Sequence, residues 1–159
     1  MNNAIALSRK QALSNVQAIF WGGLIAGVLD AVDGVIAYGT QGLNPIQVLQ
    51  YIASGALGKS AFQGGLVTAA LGAAFHFSIA WVAAAVFVSA SQRIEILKTH
   101  AVLAGLLYGA AVYFFMNYLV LPLSAVAAGR FQLGFFLNGM IGHALFVGLP
   151  ISLFARRAQ

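Results

Sequence analysis

Two aspartates three residues apart, Asp30 and Asp33, interrupt an otherwise apolar run, FWGGLIAGVLDAVDGVIAY. In a helix that spacing places both carboxylates one turn apart on one side. A carboxylate surrounded by hydrocarbon costs a few kcal/mol unless it is protonated, paired or wetted, and such groups mark ion and proton paths. His76 and His143 fall in two further apolar runs, with Asn117, Asn138 and Tyr113 close to the same depth. At 1.5 Å per residue, Asp30 is about 12 Å and Asp33 about 8 Å from the end of their run, and His143 about 13 Å from the start of its own. Asp30, Asp33, His76, His143, Asn117 and Asn138 therefore form a candidate intramembrane polar cluster.

Four chemistries compete for it. Asp30, Asp33 and His76 could relay protons along a wet path. A mixed Asp/His set suits a divalent metal such as zinc or manganese, provided the side chains converge. A haem could sit between His76 and His143, although no arginine lies at that depth to hold its propionates. The fourth is structural: the aspartates cap a polar vestibule or bond the irregular segment after them, and a neutral His bonded to an Asp steadies the bundle. The metal content stays open, and no cofactor is expected.

Several signals are rejected. ASGALGKS, Ala53 to Ser60, matches a relaxed phosphate-loop pattern, yet no strand precedes it and no magnesium-binding acid follows, so no nucleotide is expected. The chain has no cysteine, which excludes disulfides and thiolate metal sites. No Ser/His/Asp spacing resembles a hydrolase, and the reading is not an enzyme. His100 is expected to be solvated, and Glu95 beside Lys98 reads as a surface ion pair.

The elements that position these residues are membrane spans. No Asp, Glu, Lys or Arg occurs from Ser60 to Gln92, from Thr99 to Gly129, or from Phe131 to Ala155. Each stretch exceeds the roughly 20 apolar residues that cross a bilayer. Hydrophobic residues make up 61% and charged ones 7%, with a mean hydropathy of +0.90; soluble domains are about 25% charged. The 159 residues thus form one integral-membrane domain in contact with the lipid bilayer, an all-α four-helix bundle. Spans are predicted at about 17–38, 64–88, 100–121 and 134–155. The first is too long for a signal peptide. Pro122 should end span 3, and Pro150 should kink span 4.

Between spans 1 and 2, Asn44 and Pro45 read as a cap and first position of a short helix. About a dozen residues cannot span, so this is an interfacial or re-entrant helix, with Ile46, Leu49 and Ile52 opposite Gln47, Gln50 and Ser54.

The net charge of +5 is spread in ones and twos beside the spans, which is the pattern of topology and not of nucleic-acid binding. Arg9, Lys10, Arg93, Lys98, Arg156 and Arg157 fall on one side, Lys59 and Arg130 on the other. The positive-inside rule puts both termini in the cytoplasm.

Helices in lipid associate through small residues. Gly23, Gly27 and Gly34 share a face of span 1; Gly65, Ala69, Gly72, Ala80 and Ala83 one of span 2; Ala101, Gly105 and Gly109 one of span 3. Tyr38, Tyr51, Tyr118, Trp21 and Phe20 lie near the predicted interfaces, where such rings anchor a span, and carry no ligand role.

GLIAGV in span 1, FSI after His76, GLLYG in span 3, and Gly142-His143 ahead of Arg156-Arg157 resemble a family of small bacterial four-span inner-membrane proteins of the YagU type. The resemblance implies architecture and a bacterial inner-membrane location. It implies no mechanism, since the family has no settled activity, and Asp30 and Asp33 lie outside its pattern. The sequence favours an accessory or self-associating membrane component, as a homo-oligomer or within a larger complex. The alternative is an oligomeric proton- or cation-linked transporter or channel.

Overall fold

Ser14 starts the first helix: its hydroxyl accepts from the Gln17 N–H while Gln17 returns a bond to the Ser14 N–H. The computed structural model describes residues 12–126 and 131–159; Arg9, Lys10 and Arg130 of the charge count lie outside the described residues. Four helices follow, at Asn15–Gly39, Gly65–Ser91, Ala101–Leu123 and Leu133–Arg156. Each is within a few residues of its predicted span. Span 1, at 25 residues, is about 37 Å long, enough to cross a bilayer core. Large apolar residues such as Ile36, Val82 and Leu107 stay exposed along the helices, the surface that lipid tails require. This is a multi-pass membrane protein built as an all-α four-helix bundle.

Both ends of the described chain meet. Leu13 N–H donates to the Arg157 carbonyl (2.8 Å) and Gln159 N–H to the Leu13 carbonyl (3.0 Å). Lys98, in the turn between spans 2 and 3, donates to the Ala158 carbonyl and to Gln92, both at 2.9 Å. The expected Glu95–Lys98 ion pair is therefore replaced by bonds that tie this turn to the C-terminal end. An even number of crossings follows. We call this the terminal end of the bundle and the opposite one the distal end.

Span 1 packs between spans 2 and 4, and span 4 touches all three others. The core lies in the terminal half, where Ala18, Ala84, Val88, Ile151 and Ala155 are at most 1% exposed. Spans 2 and 3 meet through the Phe87 and Tyr108 rings and a bond from the Tyr108 hydroxyl to the Ala83 carbonyl (2.8 Å). Glycine sets the closest approaches. The Gly105 carbonyl lies against Gly148, and the His143 carbonyl against Gly109, so a Cβ at either glycine would strike backbone.

The small-residue faces need two corrections. Gly34 has no neighbour within 4 Å of where its Cβ would be, whereas Gly22, outside the predicted face, lies against Ile151 and Phe154 of span 4. Span 1 packs on two partners, so its small residues form two stripes, with Gly23 and Gly27 facing Trp81 and Phe77 of span 2. Gly65, at φ +56°, likewise has no neighbour and serves the turn into span 2.

The distal half is less buried. No residue from Met116 to Leu123 is buried, and Gly142 alone is buried between Leu133 and Gly142. The short helix Pro45–Leu57 covers the distal part of span 2, started by Asn44 and Gln47 in a reciprocal cap. Its faces are mixed and not split apolar from polar: Gln50 and Ser54 are buried at 4% and 3% exposure beside Val48 and Ala53, Leu49 and Ile52 are half-buried, and both Ile46 and Gln47 are exposed. The Gln50 amide donates to the Gly65 carbonyl at 2.9 Å. In lipid an unpaired amide is costly, so the polar side chain turns toward backbone acceptors and the apolar one faces outward.

Each proline sits just beyond a widened turn. Met116–Val120 precedes Pro122 and His143–Gly148 precedes Pro150 as π-helical segments. Proline lacks an N–H and crowds the carbonyl four residues back, and a π segment accommodates both. Helix continues to Leu123 after one and to Arg156 after the other.

Candidate functional site

Asp30 and Asp33 project from span 1 toward the distal part of span 4. Asp30 Oδ1 lies 3.5 Å from Nδ1 of His143, with the two side chains 20% and 22% exposed. That nitrogen is itself sealed from solvent and has no hydrogen-bond partner. One turn along, the Asn138 amide donates to Asp33 Oδ2 at 3.0 Å. Asp33 also lies over Gly142: a Cβ there would come 2.7 Å from Oδ2. Glycine at 142 thus makes room for the second carboxylate.

His143 is placed by backbone. It opens the π-helical segment of span 4, and its carbonyl rests on Gly109 of span 3. The Tyr113 ring meets the imidazole edge to face, with centroids 5.4 Å apart. Tyr113 is in turn seated on Gly139, whose Cβ would lie 2.5 Å from the ring.

Four of the six candidates therefore converge, as two cross-helix pairs. His76 lies beside them and binds elsewhere: its Nε2 donates to the Gly27 carbonyl at 2.8 Å, one turn before Asp30. A carbonyl only accepts, so this fixes the proton on Nε2. Asn117 does not join; its amide donates to the Tyr113 carbonyl of its own helix at 2.9 Å. Sequence reasoning gave no role to Gly139 or Gly142, and it treated Tyr38 and Tyr51 only as anchors. Tyr38 instead contacts Tyr51 and Phe135, at centroid distances of 5.3 and 5.4 Å. The helical spacing of Asp30, Gly34 and Tyr38 on one face was the available signal.

The electrostatics are lopsided. Asp30–His143 is the one ion pair among the described residues, and no described lysine or arginine pairs with either aspartate. A buried carboxylate without a partner is strongly disfavoured. At most one positive charge, on His143, faces two carboxylates, so neutrality at this depth calls for a proton or another cation.

Among the described residues no three His, Asp or Glu side chains group closely enough to hold a metal ion. The phosphate-loop-like Ala53–Ser60 is the end of one helix running into a 3₁₀ turn, without the strand–loop–helix that holds phosphate. His100 Nδ1 pairs with the adjacent Thr99 hydroxyl at 3.0 Å. No protein-family model, curated protein or solved structure matches the chain.

Proposed function

We propose that the protein binds protons or cations within the membrane and belongs to the transport class, with the site reached from the distal side. One observation carries this reading: two carboxylates of span 1 meet His143 and Asn138 of span 4 with a single possible positive partner. Such intramembrane groups serve ion and proton handling. The distribution of basic residues supports a distal side facing outward with both termini cytoplasmic, and the YagU-type resemblance supports a bacterial inner membrane. No enzymatic step enters this reading. Passage across the membrane requires rearrangement, because the terminal half is packed shut around Ile151 and Val88. The π segment of span 4, which carries His143, is the element suited to change register.

The closed terminal half also favours a second reading, an accessory component that self-associates or joins a larger membrane complex. Infrared difference spectroscopy separates the two. The chain has three acidic side chains in all, Asp30, Asp33 and Glu95, so bands are readily assigned. Acidification should produce a protonated-carboxyl C=O band of a dry environment that disappears in Asp30→Asn. Only a solvated band that remains in Asp30→Asn would leave the accessory reading.

Orientation has its own check. Reporter fusions after Gln92 and after Gln159 should read cytoplasmic and one after Gly58 periplasmic. A periplasmic reading at Gln92 would place the distal site inside the cell.

A further inference from the structure

The two carboxylates differ in what they lack. Asp33 already has a donor, the Asn138 amide at 3.0 Å. Asp30 faces Nδ1 of His143 across 3.5 Å, and that nitrogen has no hydrogen-bond partner. A charge-assisted hydrogen bond holds nitrogen and oxygen at about 2.7–2.9 Å, so a closure of well under about 1 Å would make the bond. His143 is the first residue of the π-helical segment His143–Gly148, and a widened turn is where a helix can adjust by that much.

Access to the imidazole is one-sided. Nδ1 is sealed from solvent, yet the side chain is 22% exposed, so its accessible surface lies on the rest of the ring. Of the two ring nitrogens, Nε2 is the one on that side. The neighbouring titratable groups among the described residues are otherwise engaged. His76 of span 2 donates to the Gly27 carbonyl, Tyr113 of span 3 meets the imidazole edge to face, and Tyr38 packs on Tyr51 and Phe135. A sealed Nδ1 leaves room for a proton and none for a hydrated ion. Hard divalent cations take six or more oxygens, and among the described residues no three His, Asp or Glu side chains group closely enough to hold one.

We infer that the ion handled here is the proton, and that His143 carries it between the accessible side of its ring and Asp30. The inference rests on the proton- or cation-binding reading and deepens it. A proton from distal water bonds to Nε2 of the neutral imidazole, whose own proton is on Nδ1. The Nδ1–H bond then breaks as that proton bonds to Oδ1 of Asp30, and the electron pair stays on Nδ1. What remains is a carboxylic acid beside a neutral imidazole protonated on Nε2. The charge of the pair goes from −1 to 0, which is the cheaper state at this depth. Release runs the same steps backward.

Infrared spectroscopy after a rapid drop in pH tests this on the purified full chain, with the dry carboxyl band of Asp30 as the signal. In wild type the band should rise at the same rate and to the same height in sodium chloride and in potassium chloride of equal ionic strength. His143→Gln keeps a polar side chain but cannot relay a proton, so the band should rise about a hundredfold more slowly, the scale of a positioned proton carrier. His143→Ala should be equally slow and should recover when imidazole is added to the buffer, which a merely structural role for His143 would not produce. Elution volume and helical content show whether each variant is folded, and the imidazole rescue decides alone if His143→Gln is not. A wild-type rate in either folded variant overturns the inference, as does a slow rise that imidazole does not rescue, or suppression of the wild-type band by sodium. Each of these leaves the broader proton- or cation-binding reading standing. No dry band in wild type would overturn both together.

Discussion

Gly109→Ala and Gly148→Ala should each prevent spans 3 and 4 from seating, although each adds one methyl group. At 109 the new Cβ would strike the His143 carbonyl, and at 148 it would strike the Gly105 carbonyl. Backbone cannot rotate aside as a side chain can, so the helices must separate, and the loss is about 3 kcal/mol or more. Separation also forfeits the dispersion contacts that replace the hydrophobic effect between helices in lipid. Gly105→Leu should be as damaging, because Ser152 and the Gly148 carbonyl lie against it. Two controls sharpen the reading. Leu106→Ile keeps volume at a half-buried position and should be tolerated. Gly34→Ala meets nothing within 4 Å and should stabilise the helix by up to about 1 kcal/mol. Thermal stability in detergent, followed by circular dichroism, ranks all five. Equal melting of Gly109→Ala and wild type would mean that this approach does not form.

Because His143 hangs on the same contact, Gly109 ties fold to site. Losing the Gly109–His143 backbone approach would carry the imidazole away from Asp30, so a partly folded Gly109→Ala protein should also lose the dry carboxyl signal.

The spans were legible because crossing a bilayer demands length and apolarity, both one-dimensional properties. The cap at Asn44 was legible for the same reason, as local chemistry. Facing was not. Gln50 and Ser54 look solvent-seeking on any soluble scale, yet lipid reverses the sense of inside: Gln50 finds its acceptor on span 2 and Ser54 bonds the Tyr51 carbonyl of its own helix. Gly34 falls on the stripe of Gly23 and Gly27 by simple periodicity, but span 1 leaves span 2 before that turn. Over His143–Gly148 the π segment breaks the 3.6-residue period, so a helical wheel misplaces everything on one side of it. The depths of Asp30 and His143 could be counted from the sequence; that they face each other, while Asn117 turns back on its own helix, depends on how spans 1, 3 and 4 rotate. Tyr38 and Tyr51 were assigned to the interface because single rings at span ends commonly anchor there. Their mutual contact joins two elements that the sequence leaves unrelated.

Asp30→Asn should abolish transport while leaving a folded, membrane-inserted protein. Asn keeps the size of Asp and most of its hydrogen bonding and deletes the charge, so the pairing with His143 persists sterically and the cation loses its counter-charge. Asp30→Leu differs: it removes the carboxylate that lies 3.5 Å from the Nδ1 of His143, an atom with no hydrogen-bond partner, and should cost about 1–3 kcal/mol of stability. If Asp30 were only a structural partner, Asn would be silent and Leu alone would be damaging.

The most direct measurement is therefore proton or cation flux into liposomes carrying equal amounts of wild type or Asp30→Asn. The account predicts that wild type dissipates an imposed gradient and that Asp30→Asn falls to the protein-free background. Equal flux from the two proteins, or none from either, would contradict it.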